Sequence, residues 1–216
     1  MAGPTLNASS STGTNFVAST SWAYSATGAA TNDTILLFVL VTTNANPTLT
    51  PTSVNDGAAY TLVAQGTTAF NNNLMIYALT GAASGTHSVT ITFATAVAGG
   101  VTHSTWSNST GSFVNNGAGN YSGTLGGAAS QAVSATVGDT VVSFTSNNGT
   151  AVTGQTGTAW FNGGGLGTGV RGQYETAASG TVTPSFTMTG ATFGETVAVS
   201  LTSNGSGATL MGQACL

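Results

Sequence analysis

Apolar and polar residues alternate with a period of two along most of this chain, and no stretch carries the 3.6-residue period of an amphipathic helix. Phe16, Ala18, Thr20, Trp22 and Tyr24 fall on one face of a first predicted strand. The run from Ile35 to Val41 is apolar at every position, which predicts a central strand covered on both faces. Tyr60, Leu62 and Ala64 alternate after Asn55-Asp56-Gly57, a hairpin-turn signal. Leu74, Ile76 and Ala78 follow the Asn71-Asn72-Asn73 loop. His87, Val89, Ile91 and Phe93 share a face, and a separate strand carries Thr102, Ser104 and Trp106. Further strands are predicted at Val133, Ala135 and Val137, at Val141 to Thr145, at Val182 to Phe186 and at Val197, Val199 and Leu201. Pro184 assigns its strand to an edge or a bulge. Many short strands punctuated by turn residues predict an all-β, jelly-roll-like antiparallel β-sandwich, with Trp22 and Trp106 in its core.

The pattern also repeats. Ala82-Ala83-Ser84-Gly85-Thr86 recurs letter for letter as Ala177-Ala178-Ser179-Gly180-Thr181, each copy following a strand that holds a tyrosine, Tyr77 or Tyr174. Asp33-Thr34 opens the first buried strand and Asp139-Thr140 opens its counterpart. The last strand of each copy ends at Trp106-Ser107-Asn108 or at Leu201-Thr202-Ser203-Asn204. The expectation is one sandwich domain over 14–204 made of two Greek-key pseudo-halves, about 14–110 and 111–204. An N-terminal arm, 1–13, and a C-terminal tail, 205–216, flank it.

Composition narrows the function. Of 216 residues only 3% are charged: five acids and a single cation, Arg171, with no lysine. Nucleic-acid binding needs several cations to displace phosphate counterions, so it is excluded. A Walker A loop and Schiff-base chemistry need a lysine. A polybasic membrane anchor fails on the same count, and the longest strongly apolar run is too short to span a bilayer. Met1 to Leu6 has neither a basic nor an apolar signal-peptide region, which predicts synthesis in the cytoplasm without export. The lone Cys215 has no partner within the chain and reads as a bystander. Disorder is disfavoured, because 40% of residues are hydrophobic and aromatics recur throughout.

The titratable inventory is too sparse for a catalytic constellation, and neither metal-ligand spacing nor a cofactor motif in proper context occurs. His87 and His103 sit in strand patterns and read as structural. Gly167-Thr168-Gly169-Val170-Arg171-Gly172 matches G-x-G-x-x-G but has no helix signal after it, so it reads as a mobile loop or a close backbone contact. Arg171 and Glu175 are spaced to form a local ion pair. Sequons are no more frequent than so much Ser, Thr and Asn produces by chance. Two candidate binding features remain. Leu6, Leu210, Met211 and Leu216 are apolar positions in the arm and tail, which either close the domain's own surface or dock on a neighbouring subunit. Trp160, Phe161 and Asn162 stand beside a glycine run and are the best candidates for an exposed binding loop.

The order of features resembles a known class. Asn32-Asp33-Thr34 leads into a buried strand, Pro51-Thr52-Ser53-Val54-Asn55-Asp56-Gly57 precedes Tyr60, Met75-Ile76-Tyr77 follows, and Gly85-Thr86-His87-Ser88-Val89-Thr90-Ile91-Thr92-Phe93 closes the series. This is similar to jelly-roll or Ig-like β-sandwich modules of tailed-phage virion proteins and related bacterial surface proteins. The family's Glu-Tyr-Ser-Gly is replaced here by Trp106-Ser107-Asn108-Ser109-Thr110-Gly111. The resemblance implies a non-enzymatic structural virion protein, an outer decoration or cement subunit of a phage head. Its partners would be other virion subunits, the major capsid protein first, and further copies of itself, a trimer by analogy. A secreted or surface-displayed glycan-binding module using Trp160 is the alternative.

Overall fold

Among the described residues, seven strands make the first half of the chain: β1 (Thr5–Ser9), β2 (Thr14–Ala29), β3 (Asp33–Thr42), β4 (Ser53–Asn55), β5 (Thr61–Gln65), β6 (Asn72–Ala82) and β7 (Gly85–Ser107). Ten make the second: β8 (Ser109–Ser122), β9 (Ala128–Ser130), β10 (Val133–Ser134), β11 (Thr140–Asn147), β12 (Val152–Gln155), β13 (Thr158–Phe161), β14 (Val170–Thr176), β15 (Thr181–Val182), β16 (Ser185–Met188) and β17 (Phe193–Ser203). The computed structural model describes residues 3–42, 49–66, 72–122, 128–147, 151–167, 169–188 and 193–203. Among them the one helical element is a 3-10 turn at Gly164–Leu166. The fold is an all-β antiparallel sandwich.

Each half builds a main sheet with the same strand order. In the first it runs β1-β7-β3-β6-β5, and in the second β8-β17-β11-β14-β13. All of these pairings are antiparallel. The repeat extends to single hydrogen bonds. Asp33 Oδ2 accepts from the Ala30 amide at 2.9 Å, and Asp139 Oδ2 accepts from the Thr136 amide at 2.8 Å. The preceding residue, Asn32 or Gly138, takes a left-handed φ of 68° or 95°. Its amide donates to Ala82 or Ala177, the first alanine of the repeated pentapeptide. A short acid that closes its own turn explains why both halves open on Asp-Thr.

The two main sheets face each other across a shared core. Leu36 and Phe38 of β3, Leu74 and Ile76 of β6 and Trp106 of β7 meet Val142 and Phe144 of β11 and Val197, Val199 and Leu201 of β17. Phe38 and Phe144 occupy matching places in the two sheets, and their ring centroids lie 5.2 Å apart. Successive side chains of a strand point to opposite faces, so the odd positions of β3 must be covered elsewhere. They are: Ile35, Leu37, Val39 and Val41 join Trp22, Tyr24, Val54, Val89, Ile91 and Phe93 in a second core. An outer layer of β2, β4 and the first part of β7 supplies that cover. In the second half the corresponding cover is β10-β15 and β12-β16-β9, over two smaller clusters. There Ser143 and Thr145 replace the leucine and valine of β3, and the hydroxyls of Ser143 and Ser200 are buried without a protein partner.

Four expected features take a different form. The strands expected at His87–Phe93 and Thr102–Trp106 are one element, β7. Its start pairs with β2 and β4 in the outer layer, and its end pairs with β3 in the main sheet. Gly99 lies where it passes between layers, and a Cβ there would collide with the Leu40 carbonyl and the Trp22 ring. Asn55-Asp56-Gly57 does turn the chain back, with Gly57 at φ 102° and an antiparallel bridge between Asn55 and Ala59, but beyond that bridge β4 and β5 part to different layers. Bulges between Phe16 and Ser21 break the expected single face of β2, leaving Ala18 and Thr20 exposed. Pro184 lies between β15 and β16, outside either strand.

Candidate functional site

The arm is a strand of the fold. β1 holds the edge position of its sheet that β8 holds in the other, and Leu6 packs against the shared core. Residues around it lie along the second half. The Thr140 hydroxyl donates to the Pro4 carbonyl at 2.9 Å, the Ser9 hydroxyl to the Trp160 carbonyl at 3.2 Å, and the Gly165 amide to the Thr12 carbonyl. Leu6, expected as an assembly contact, therefore covers the chain's own core. Leu210, Met211, Leu216 and Cys215 lie outside the described residues.

The expected exposed loop is mostly interior. Trp160 is 7% exposed and Phe161 1%, while Asn162 is exposed. A register shift between Ala159 and Phe161 lets two consecutive aromatics enter the same core, which strict alternation forbids. The Trp160 ring lies 4.5 Å from Phe38, and its indole N–H donates to the Gln173 carbonyl at 3.2 Å. Gly172 makes the room, since a Cβ there would overlap the indole. The glycine run is a close backbone contact: Gly164 and Gly165 lie against Thr12 and Gly13, and Leu166 packs on the shared core.

Two titratable groups, Asp56 and His87, meet at a cleft of about 510 Å³ lined also by Thr80, Ala83, Thr86 and Ser88 among others. The turn after β4 brings Asp56 beside His87 at the start of β7. His87 Nδ1 and Asp56 Oδ2 form an ion pair, the only one among the described residues. Asp56 Oδ1 accepts from the Ala58 amide at 3.1 Å, and the Tyr60 hydroxyl approaches Oδ2 at 3.4 Å. Burial opposes both charges. The Ala83 carbonyl and the Asp56 carboxylate outweigh it at His87 and hold that ring above its ordinary pKa. Bonds from His87 and the Ala58 amide, with the imidazolium charge, likewise hold Asp56 below its own. Both ring nitrogens are engaged, because Nε2 faces the Ala83 carbonyl at 3.0 Å. The pair clasps the Ala82–Thr86 turn to the Asp56 turn and leaves no free nitrogen for proton transfer.

The other histidine is deeper. His103 Nδ1 lies 2.6 Å from the Tyr24 hydroxyl. Its Nε2 faces both the carbonyl and the amide of Thr27, at 2.9 and 3.1 Å. Either neutral tautomer is satisfied, with the Tyr24 hydroxyl donating or accepting accordingly. Burial pushes His103 below its usual value and Tyr24 up to about 12, so this is a neutral core pair. Arg171 and Glu175 face Thr145 and Val141 in the β14–β11 ladder and form no ion pair; Glu175 accepts from the Thr156 hydroxyl instead. Among the described residues no three His, Cys, Asp or Glu side chains converge as a metal site. No family model, curated protein or solved structure matches the chain.

Proposed function

We propose that the chain is a structural virion protein without enzymatic activity, an outer decoration or cement subunit on a tailed-phage head. One observation carries this reading: all five acids and both histidines are engaged in bonds within the chain's own fold. What remains for a partner among the described residues is hydroxyl, amide, backbone and apolar surface with Arg171 as its one cation, which suits broad, nearly uncharged contact with a neighbouring protein. Contacts of that kind are little affected by salt. The major capsid protein is the partner this surface serves, and a trimer suits the local threefold axes of a capsid by analogy. Synthesis in the host cytoplasm and incorporation into the particle follow from the same reading.

Quantitative mass spectrometry of purified particles from the source tests it. The expected result is many copies per particle, in fixed ratio to the major capsid protein. Absence from the particles, with the chain recovered in the surrounding medium, overturns it.

A further inference from the structure

One acid does not belong to a turn or to the surface. On β17 the side chains of Val197, Val199 and Leu201 enter the shared core, and Glu195 stands in the same phase. Its carboxyl is carried into the junction between the two halves, where the residue is 3% exposed. Oε2 accepts from the amide of Leu74, on β6 of the other half, at 3.0 Å. Oε1 is buried and has no partner. It lies directly over Gly66, where any side chain would overlap it, and the Gly66 amide in turn donates to the Leu74 carbonyl at 2.8 Å. The carboxyl thus plugs the end of the β5–β6 pair from across the junction.

Among the described residues no counter-charge reaches it. β5, β6, β8 and β11 carry no Asp, Glu, Lys, Arg or His. On β14, Val170 and Tyr174 enter the shared core, so the intervening Arg171 and the following Glu175 project from the opposite face. Tyr77 of β6 belongs to the outer core. A buried carboxylate without a cation is unfavourable and is relieved by holding a proton. A protonated carboxyl keeps one oxygen for the Leu74 amide and needs no counter-ion.

We propose that Glu195 is a proton-operated latch between the two halves, closing the Gly66–Leu74 end of their junction while neutral and loosening it when the proton leaves to solvent. The ionised group keeps its bond from Leu74, but its second oxygen must find water, which enters only if β6 and β17 separate at that end. Burial, opposed only in part by the Leu74 amide, pushes the pKa up to about 8, which brings the transition within reach of mild alkali. The inference is independent of the virion reading.

Hydrogen exchange at pH 6 and pH 9, corrected for the intrinsic rate, tests it on the full chain. Peptides covering Leu74–Ala78 and Glu195–Val199 lose protection at pH 9 in the wild type, while those from β2 keep theirs. Glu195→Gln preserves an oxygen for Leu74 but cannot ionise, so its protection there is equal at the two pH values. The thermal midpoint of the wild type falls by on the order of ten degrees between pH 5 and 9, and that of Glu195→Gln does not share the fall. The His87–Asp56 pair is common to both proteins and cancels in the comparison. Equal protection of the wild type at both pH values, or the same pH response in Glu195→Gln, overturns the latch. Should the variant fail to fold, carbon NMR titration of the wild-type carboxyl decides: a midpoint near 8 supports the proposal, and one in the ordinary carboxylate range refutes it.

Discussion

Phe38 and Phe144 meet across the core that the two halves share, so cutting back either ring should weaken both halves at once. Each ring is fully buried. Phe38 lies 5.2 Å from Phe144 and 4.5 Å from Trp160, both in the second half. Phe38→Ala loses the transfer energy of a phenyl group, leaves a cavity and forfeits these aromatic contacts, for a total of about 4 kcal/mol. That is a large part of the ~5–15 kcal/mol by which a folded chain is stable. With a urea slope of about 2–3 kcal/mol per molar, the midpoint moves down by roughly 1.5 M. Urea unfolding followed by hydrogen exchange reads the halves separately, through β3 and β6 in one and β11 and β17 in the other. Both should lose protection at the same lowered midpoint. Two separated transitions, with only the first half displaced, would refute the idea that one core serves both.

Smaller perturbations test other joints. Gly99→Ala drives a methyl into the Leu40 carbonyl and the Trp22 ring and costs about 1–3 kcal/mol in thermal melts, whereas Gly180→Ala, with open space around it, stays within about 0.5 kcal/mol of wild type. His87→Gln costs about 1 kcal/mol near pH 5.5 and nothing near pH 9. Because the folded pKa of His87 is raised, its contribution is complete below the unfolded value and disappears as pH climbs past the folded one; Asp56, held low, loses its share only in acid. Asp33→Ala and Asp139→Ala each remove a turn acceptor, for about 1–3 kcal/mol by urea unfolding. Asp33 costs more, since it also leaves the Asn7 side-chain amide without its 2.9 Å partner.

Strand chemistry was the legible part of this chain, and departures from strict alternation were not. Ile35–Val41 announced a strand covered on both faces, and its odd and even positions do enter separate cores. The paired Asp-Thr openings and the duplicated pentapeptide occupy equivalent turns in the two sheets. Trp160-Phe161 misled because the adjoining glycine run reads as an exposed loop, while the bulge in β13 turns both aromatics inward. Gly172 was the available signal: it faces Phe161 in the ladder and leaves space for the indole. The continuity of β7 was hidden because Gly99 and Gly100 carry no side chain to continue the alternation, while in the fold the pair is backbone too tightly approached to bear side chains. Leu6 looked like part of a free arm because five residues of strand are too few to show a period. Glu195 stood in phase with Val197, Val199 and Leu201 from the start, but alternation alone does not say that both faces of its sheet are covered.

The claim that a nearly ion-free sandwich works by adhering to its neighbours is tested most directly by adding the purified chain to particles that lack it and sedimenting them across a salt series. The account predicts saturable binding of many copies per particle, with the bound fraction unchanged between about 0.05 and 1 M salt. A chain that stays in the supernatant, or one released as salt rises, would contradict it.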